Sequence, residues 1–168
     1  MPILPSSLTR RGFLLSGAAL VFATALPQAS FAQAAPTSVM DADEAYAKAK
    51  AGEIILIDIR TPPEWAQTGI PEGAIALDMT QQEHFINSIV ALRKADMAKP
   101  MAMICRTGNR TGQLIKILAA QGFPGLVDVT EGIAGGPRGQ GWLPRGLPVY
   151  PGNADAIAAR LVQVMPEG

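Results

Sequence analysis

From residue 41 onward, short apolar runs alternate with amphipathic stretches. Glu53-Ile54-Ile55-Leu56-Ile57-Asp58-Ile59 is nearly continuous in β-branched and apolar residues, the pattern of a strand buried on both faces. Pro100 to Ile104 and Leu126 to Val129 read the same way, and Ala74 to Leu77 is a shorter strand. The intervening stretches carry helix signals. Asp41-Ala42-Asp43-Glu44 opens a helix that runs to about Ala51 before Gly52. Thr61-Pro62-Pro63-Glu64 opens a short one, with Pro62 at its first position. Thr80-Gln81-Gln82-Glu83 caps a third that reaches about Arg93. A fourth spans about Thr111 to Gln121 and stops at Gly122, and Asn153 caps a last helix from Ala154 to Val164. Residues 35–39 read as a lead-in and Gly69 to Gly73 as a turn. The six glycines within 131–146 mark that stretch as mostly loop. No internal repeat is visible. Strands alternating with helices predict an α/β fold: a central, mostly parallel β-sheet with helices on both faces.

Residues 1–34 follow a different pattern. Thr9-Arg10-Arg11-Gly12-Phe13-Leu14 resembles the twin-arginine export motif, and an apolar run continues to Leu26 before Pro27. Ala32-Gln33-Ala34 fits a small-x-small cleavage site. A membrane anchor needs about 18–20 consecutive apolar residues. This run is shorter and carries Ser16 and Gly17. The segment 1–34 is therefore expected to be a cleaved signal that delivers residues 35–168 to the periplasm as a single domain, with no stable membrane span after cleavage.

Composition narrows the chemistry. With 48% hydrophobic and 17% charged residues, the chain is globular in character. Residues 35–168 carry 12 basic and 14 acidic side chains, a balance that argues against a nucleic-acid surface. The one histidine, His84, lies in a helical stretch. One histidine and one cysteine make a structural zinc site an unfavoured reading, so neither a metal nor a cofactor is expected. A single cysteine also leaves no internal disulfide and no resolving partner for a disulfide oxidoreductase.

That cysteine, Cys105, stands at the carboxyl end of a predicted strand, where open α/β sheets bind their ligands. Arg106-Thr107-Gly108-Asn109-Arg110 follows, then a helix beginning near Thr111. A thiolate is the reactive form of cysteine, and an ordinary thiol is mostly protonated at neutral pH. A helix N-terminus turns unsatisfied N–H groups toward whatever precedes it. Two arginines within five residues add positive charge, and Gly108 lets the backbone curl so that its amides converge on one anion. The arrangement favours a thiolate, a persulfide or a bound anion. A bland alternative is that Cys105 merely ends a buried strand.

Cys105-Arg106-Thr107-Gly108-Asn109-Arg110-Thr111 resembles the active-site loop of the rhodanese family. Three further stretches match in order: Asp58 to Trp65, the turn Gly69 to Ile75, and a closing segment of Glu131-Gly132, Gly141-Trp142 and Gly146 to Val149. The resemblance implies a rhodanese-like fold and a sulfurtransferase. Cys105 would take sulfane sulfur from a small donor such as thiosulfate and hold it as a persulfide. It would then pass the sulfur to a thiophilic acceptor, cyanide or a thiol, including a protein thiol. By the same resemblance, amides from Arg106 to Thr111 would cradle the persulfide, and Arg110 would close the loop or bind the anion. Arg106 would recruit the donor. Asp58 would anchor the loop by accepting amide hydrogens, and Arg60 would pair with Glu64 or Glu72. Trp65 and Trp142 are expected to be packing residues. Two departures stand out: the family's usual histidine after Gly69 is absent, and the glycine-rich stretch from Gly132 to Gly141 is long, which suggests a mobile rim over the site.

Three other functions compete. A cysteine phosphatase or arsenate reductase encloses five residues between its cysteine and arginine, whereas Cys105 and Arg110 enclose four. A non-catalytic binding module of the same fold has no need of Cys105. A persulfide carrier shares the first half-reaction and differs only in its acceptor.

Overall fold

The computed structural model describes residues 38–164. The predicted signal segment, residues 1–34, lies outside them. Five strands form one sheet: β1 (Ser38–Met40), β2 (Ile55–Asp58), β4 (Ala74–Ala76), β5 (Met101–Ile104) and β6 (Leu126–Val129). Their order is β1-β6-β5-β2-β4, and every neighbouring pair is parallel. The alternation of strand and helix signals is thus borne out as a parallel α/β sheet.

Side chains alternate along each strand and divide the core in two. Leu56, Ala102, Ile104, Val127 and Val129 face one layer, together with Trp65 of α2 (Pro62–Thr68) and Ala42 and Ala45 of α1 (Ala42–Lys50). Ile55, Ile57, Met101, Met103 and Cys105 face the other, where α3 (Gln82–Ala95) and α4 (Asn109–Ala120) pack through Phe85, Ile89, Leu92, Ile115 and Leu118. The chain leaves β2 toward the first layer through α2 and leaves β5 toward the second through α4. The crevice between the carboxyl ends of β2 and β5 is therefore the topological switch point, where α/β sheets place their ligands.

Local signals located most elements well. Asp41 caps α1 by accepting the Glu44 amide at 2.8 Å. Asn153 accepts the Ala156 amide at 2.9 Å at the start of α5 (Ala154–Val164). Four readings need correction. Residues 38–40 are not lead-in but an edge strand, held by pairing with Leu126–Val129. The turn from Gly69 to Gly73 contains β3 (Ile70–Pro71), which pairs antiparallel with β7 (Val149–Tyr150). Thr80 does not cap α3: its hydroxyl and amide both donate to Asp78 Oδ1, at 2.7 and 2.9 Å, and the helix begins at Gln82. The fourth helix starts at Asn109, two residues before the predicted Thr111, because Gly108 takes the left-handed conformation (φ 76°) and completes the turn. Among the described residues, no helix is long and apolar enough to cross a membrane.

Candidate active site

Cys105 follows the last residue of β5 and is 1% exposed. Residues 106–108 turn back over it, so that the Gly108 amide donates to Sγ at 3.1 Å. The Thr111 hydroxyl, in the first turn of α4, lies 3.7 Å from the same sulfur and donates to the Gly108 carbonyl at 3.0 Å. First-turn amides have no acceptor within their own helix, so the amino end of α4 offers further donors toward this crevice.

The loop depends on glycine at two places. A Cβ on Gly108 would stand 2.0 Å from the Thr130 carbonyl oxygen. One on Gly132 would lie 2.6 Å from the Arg106 carbonyl oxygen. Gly132 and its neighbours back the loop directly, through the Ile133 amide to the Cys105 carbonyl and the Ala134 amide to the Arg106 carbonyl, both at 2.9 Å. The glycine-rich stretch expected as a rim is tied down at further points. The Gly141 amide donates to buried Glu131 at 3.0 Å, and Arg138 reaches back to Asn109 Oδ1 at 2.8 Å. Glu131 in turn holds Arg145 at 2.6 and 2.8 Å.

The arginines divide into committed and available charges. Arg110 donates to both oxygens of Glu64, at 2.9 and 2.5 Å, and so bridges the first turns of α2 and α4 across the switch point. Glu64 also accepts the Thr61 amide and hydroxyl, at 3.1 and 3.0 Å. Arg106 is exposed, and among the described residues no carboxylate lies within ion-pair distance of it. A hollow of about 120 Å³ opens beside it, walled by Glu64, Thr68, Ile133, Ala134 and Leu143. Thr107 and Asn109 sit on the outer side of the loop, where Arg138 meets the Asn109 side chain.

Two of the expected support roles change. Asp58 accepts no amide from the Cys105 loop; it accepts the Arg60 backbone amide at 3.1 Å and the Arg60 guanidinium at 3.0 and 2.7 Å. Arg60 accordingly pairs with Asp58 rather than with the carboxylate of Glu64 or Glu72. Its remaining donors go to Thr68 Oγ1 and the Gly69 carbonyl, each at 2.7 Å. The pair is sealed in the base of the crevice and positions α2, hence Glu64. The Glu64–Arg110 bridge was not legible in the sequence, since its partners lie 46 residues apart and no local spacing links them.

Hydrogen bonding from Arg110 holds the Glu64 carboxyl at about 2, well below its usual 4.5, against the opposing effect of burial. An acid with a depressed folded value binds fewer protons when folded. Its stabilisation is complete above about 4.5 and is lost as pH falls toward about 2. A Glu64→Gln variant is expected to lose about 1 kcal/mol at neutral pH, the scale of a partly exposed ion pair. Its stability should also fall less steeply than the parent's through that acid window, which urea denaturation at a series of pH values measures.

A rhodanese-like domain family model matches residues 41–136. A sulfurtransferase of Allochromatium vinosum is 30% identical over 99 residues, covering 58% of this chain and 78% of the relative. The thiosulfate sulfurtransferase GlpE of Pseudomonas syringae pv. syringae is 30% identical over 86 residues, covering 44% of this chain and 81% of the relative. Among solved structures, a rhodanese-like domain from Anabaena sp. aligns with a TM-score of 0.51 at 18% identity, covering 79% of this chain and 87% of that one.

Proposed function

Because the chain belongs to the rhodanese-like domain family and is of sulfurtransferase type, we propose that it moves sulfane sulfur through a persulfide on Cys105. In the first half-reaction the Cys105 thiolate attacks the outer sulfur of a donor such as thiosulfate. A new S–S bond forms, the donor's S–S bond breaks, and sulfite leaves with the electron pair. In the second, cyanide or a thiol attacks the outer sulfur and Cys105 departs as the thiolate. Splitting the transfer this way is nucleophilic covalent catalysis, with ping-pong kinetics as its signature. No cofactor enters, because only electron pairs on sulfur move.

The observation that supports this reading most is the Gly108 amide, 3.1 Å from Sγ at the amino end of α4. A donor in that position can hydrogen-bond the negative sulfur of a persulfide held on Cys105. In this scheme Arg106 is the free cation that draws an anionic donor into the hollow beside it. Arg110, committed to Glu64, keeps the loop closed. The twin-arginine-like N-terminus supports export, and with it a periplasmic site of action.

Intact-mass spectrometry before and after thiosulfate tests the proposal. The expected result is a gain of one sulfur atom, reversed by cyanide. No gain with thiosulfate or any other sulfane donor removes the persulfide reading.

A further inference from the structure

Arg138 lies outside the Cys105 loop in sequence yet packs against it. Two reciprocal backbone bonds between Gly136 and Gly139, at 2.9 and 3.1 Å, close a tight hairpin with Pro137 and Arg138 at its tip. The Gly141 amide fastens the base of this hairpin to buried Glu131. Three groups then place the guanidinium. Its Nη2 donates to Asn109 Oδ1 at 2.8 Å and to the Thr107 carbonyl at 3.4 Å. Its Nη1 lies 3.8 Å from Oδ2 of Asp128, a β6 residue whose side chain is 8% exposed. Among the described residues Arg138 is the cation that meets this buried carboxylate, which would be costly left alone. A Cβ on Gly108 would stand 3.0 Å from Nη2, so the guanidinium rests against the peptide that joins Thr107 to Gly108.

That peptide is the one whose amide donates to Cys105 Sγ. In a trans peptide the carbonyl and the N–H point to opposite sides. A cation on the Thr107 carbonyl, outside the loop, thus holds the Gly108 N–H on the sulfur side. The fixation matters because residue 108 is glycine. Glycine adopts either sign of φ at little cost, so turning this peptide over, which moves Gly108 away from its φ of 76°, meets little steric resistance. Turned over, the peptide would present a carbonyl oxygen to the sulfur in place of a donor. We propose that Arg138 is a positioning residue for sulfur transfer: by holding the Thr107 carbonyl outward, it keeps the Gly108 amide aimed at the Cys105 sulfur. The role rests on the sulfur-transfer reading above and is felt most when the persulfide is discharged. As the outer sulfur passes to an acceptor, negative charge returns to Sγ, and a donor already aimed there meets it.

Hydrogen exchange followed amide by amide in NMR spectra gives the first reading. In Arg138→Ala the Gly108 amide is expected to exchange about tenfold faster than in the parent, through local opening. The Ile133 and Ala134 amides, which bond the Cys105 and Arg106 carbonyls, should keep their parent rates. A general loosening of the site would speed all three together. Protein loaded with thiosulfate, freed of excess donor and mixed with cyanide gives the second reading. Discharge should be about tenfold slower in Arg138→Ala, short of the full loss of a donor because the peptide still visits its productive orientation. The defect should persist at about 0.5 M salt, which screens the attraction of an exposed cation for cyanide. Unchanged exchange at Gly108, equal acceleration of all three amides, unchanged discharge, or a discharge defect that salt abolishes overturns the proposal. If Arg138→Ala fails to fold, Arg138→Gln, whose shorter side chain lacks the guanidinium fork, is judged by the same readings. A parent that takes up no sulfur removes the sulfur-transfer reading, and the exchange rates then decide alone whether Arg138 holds the peptide.

Discussion

A Cys105→Ser protein is expected to fold as its parent does and to accept no sulfur from any donor. The exchange replaces one buried sulfur by oxygen in a cavity already shaped for it, and the Gly108 amide retains an acceptor. The structural cost should stay within about 1 kcal/mol, the ordinary scale of a mild substitution. The chemical cost is complete. A serine hydroxyl loses its proton far less readily than a thiol, no S–S bond can form on oxygen, and the chain has no second cysteine to take over. Cys105→Ala makes a useful contrast, because it leaves the buried Gly108 amide unpaired at a cost of about 1–3 kcal/mol. Mass spectrometry after thiosulfate and thermal unfolding of both variants check the two halves of the expectation. Sulfur retained by the serine protein would mean that the loop binds it without a covalent bond, and Cys105 would lose its assigned role.

The parts of the site that were legible beforehand are those encoded within a few residues. The position of Cys105 follows from an apolar strand ending at Ile104 and a glycine that can close a turn over it. Asp41, Asn153 and the Thr61–Glu64 start declared their helices for the same reason: a cap is a local hydrogen bond. Elements that rest on distant partners were not legible. Ser38–Met40 becomes a strand only because β6 offers an edge. Ile70–Pro71 and Val149–Tyr150, each two residues long, carry no periodicity and exist as strands only by pairing. Thr80 shows a local rule losing to a nearer competitor, since Asp78 takes its hydroxyl before the helix can.

The arginines illustrate the same limit with opposite consequences. A positive charge near Cys105 could be counted from sequence, but its commitment could not. Arg110 spends its guanidinium on Glu64, and Arg138, outside the loop motif altogether, arrives through the glycine-rich segment to hold Asn109. Of the two arginines flanking the loop glycine, only Arg106 is left to meet an anion. A site that attracts anions is thus built with most of its cations already engaged in holding the cradle's shape.

That shape depends in turn on a pair well away from the sulfur. Arg60→Ala is expected to destabilise the protein by about 3–5 kcal/mol at neutral pH, the cost of leaving a buried charge without its partner. Arg60 and Asp58 are 2% and 0% exposed, and the variant would leave Asp58 with only the residue 60 amide as donor. Burial already raises the Asp58 carboxyl, and hydrogen bonding to Arg60 is the main opposing influence. Without the guanidinium the carboxyl is raised further, so the folded variant binds a proton that the unfolded chain releases. Such a group contributes its stability below the unfolded value, near about 4, and loses it as pH rises through the raised folded value. The deficit of Arg60→Ala against the parent should therefore shrink on acidification, as that of Glu64→Gln does, but because the variant gains stability from a raised carboxyl rather than because the parent loses it from a depressed one. Denaturant unfolding at neutral and at mildly acid pH reads both. Arg60→Met combined with Asp58→Leu removes both charges at similar volume and should be less damaging than Arg60→Ala alone. Sulfur loading would still suffer in that double variant. Arg60 fastens Thr68 and Gly69 at the end of α2, and α2 carries the Glu64 that holds Arg110 across the switch point. A double variant that is stable yet slow to load sulfur would locate the pair's contribution in the placement of α2, whereas full loading would assign it to stability alone.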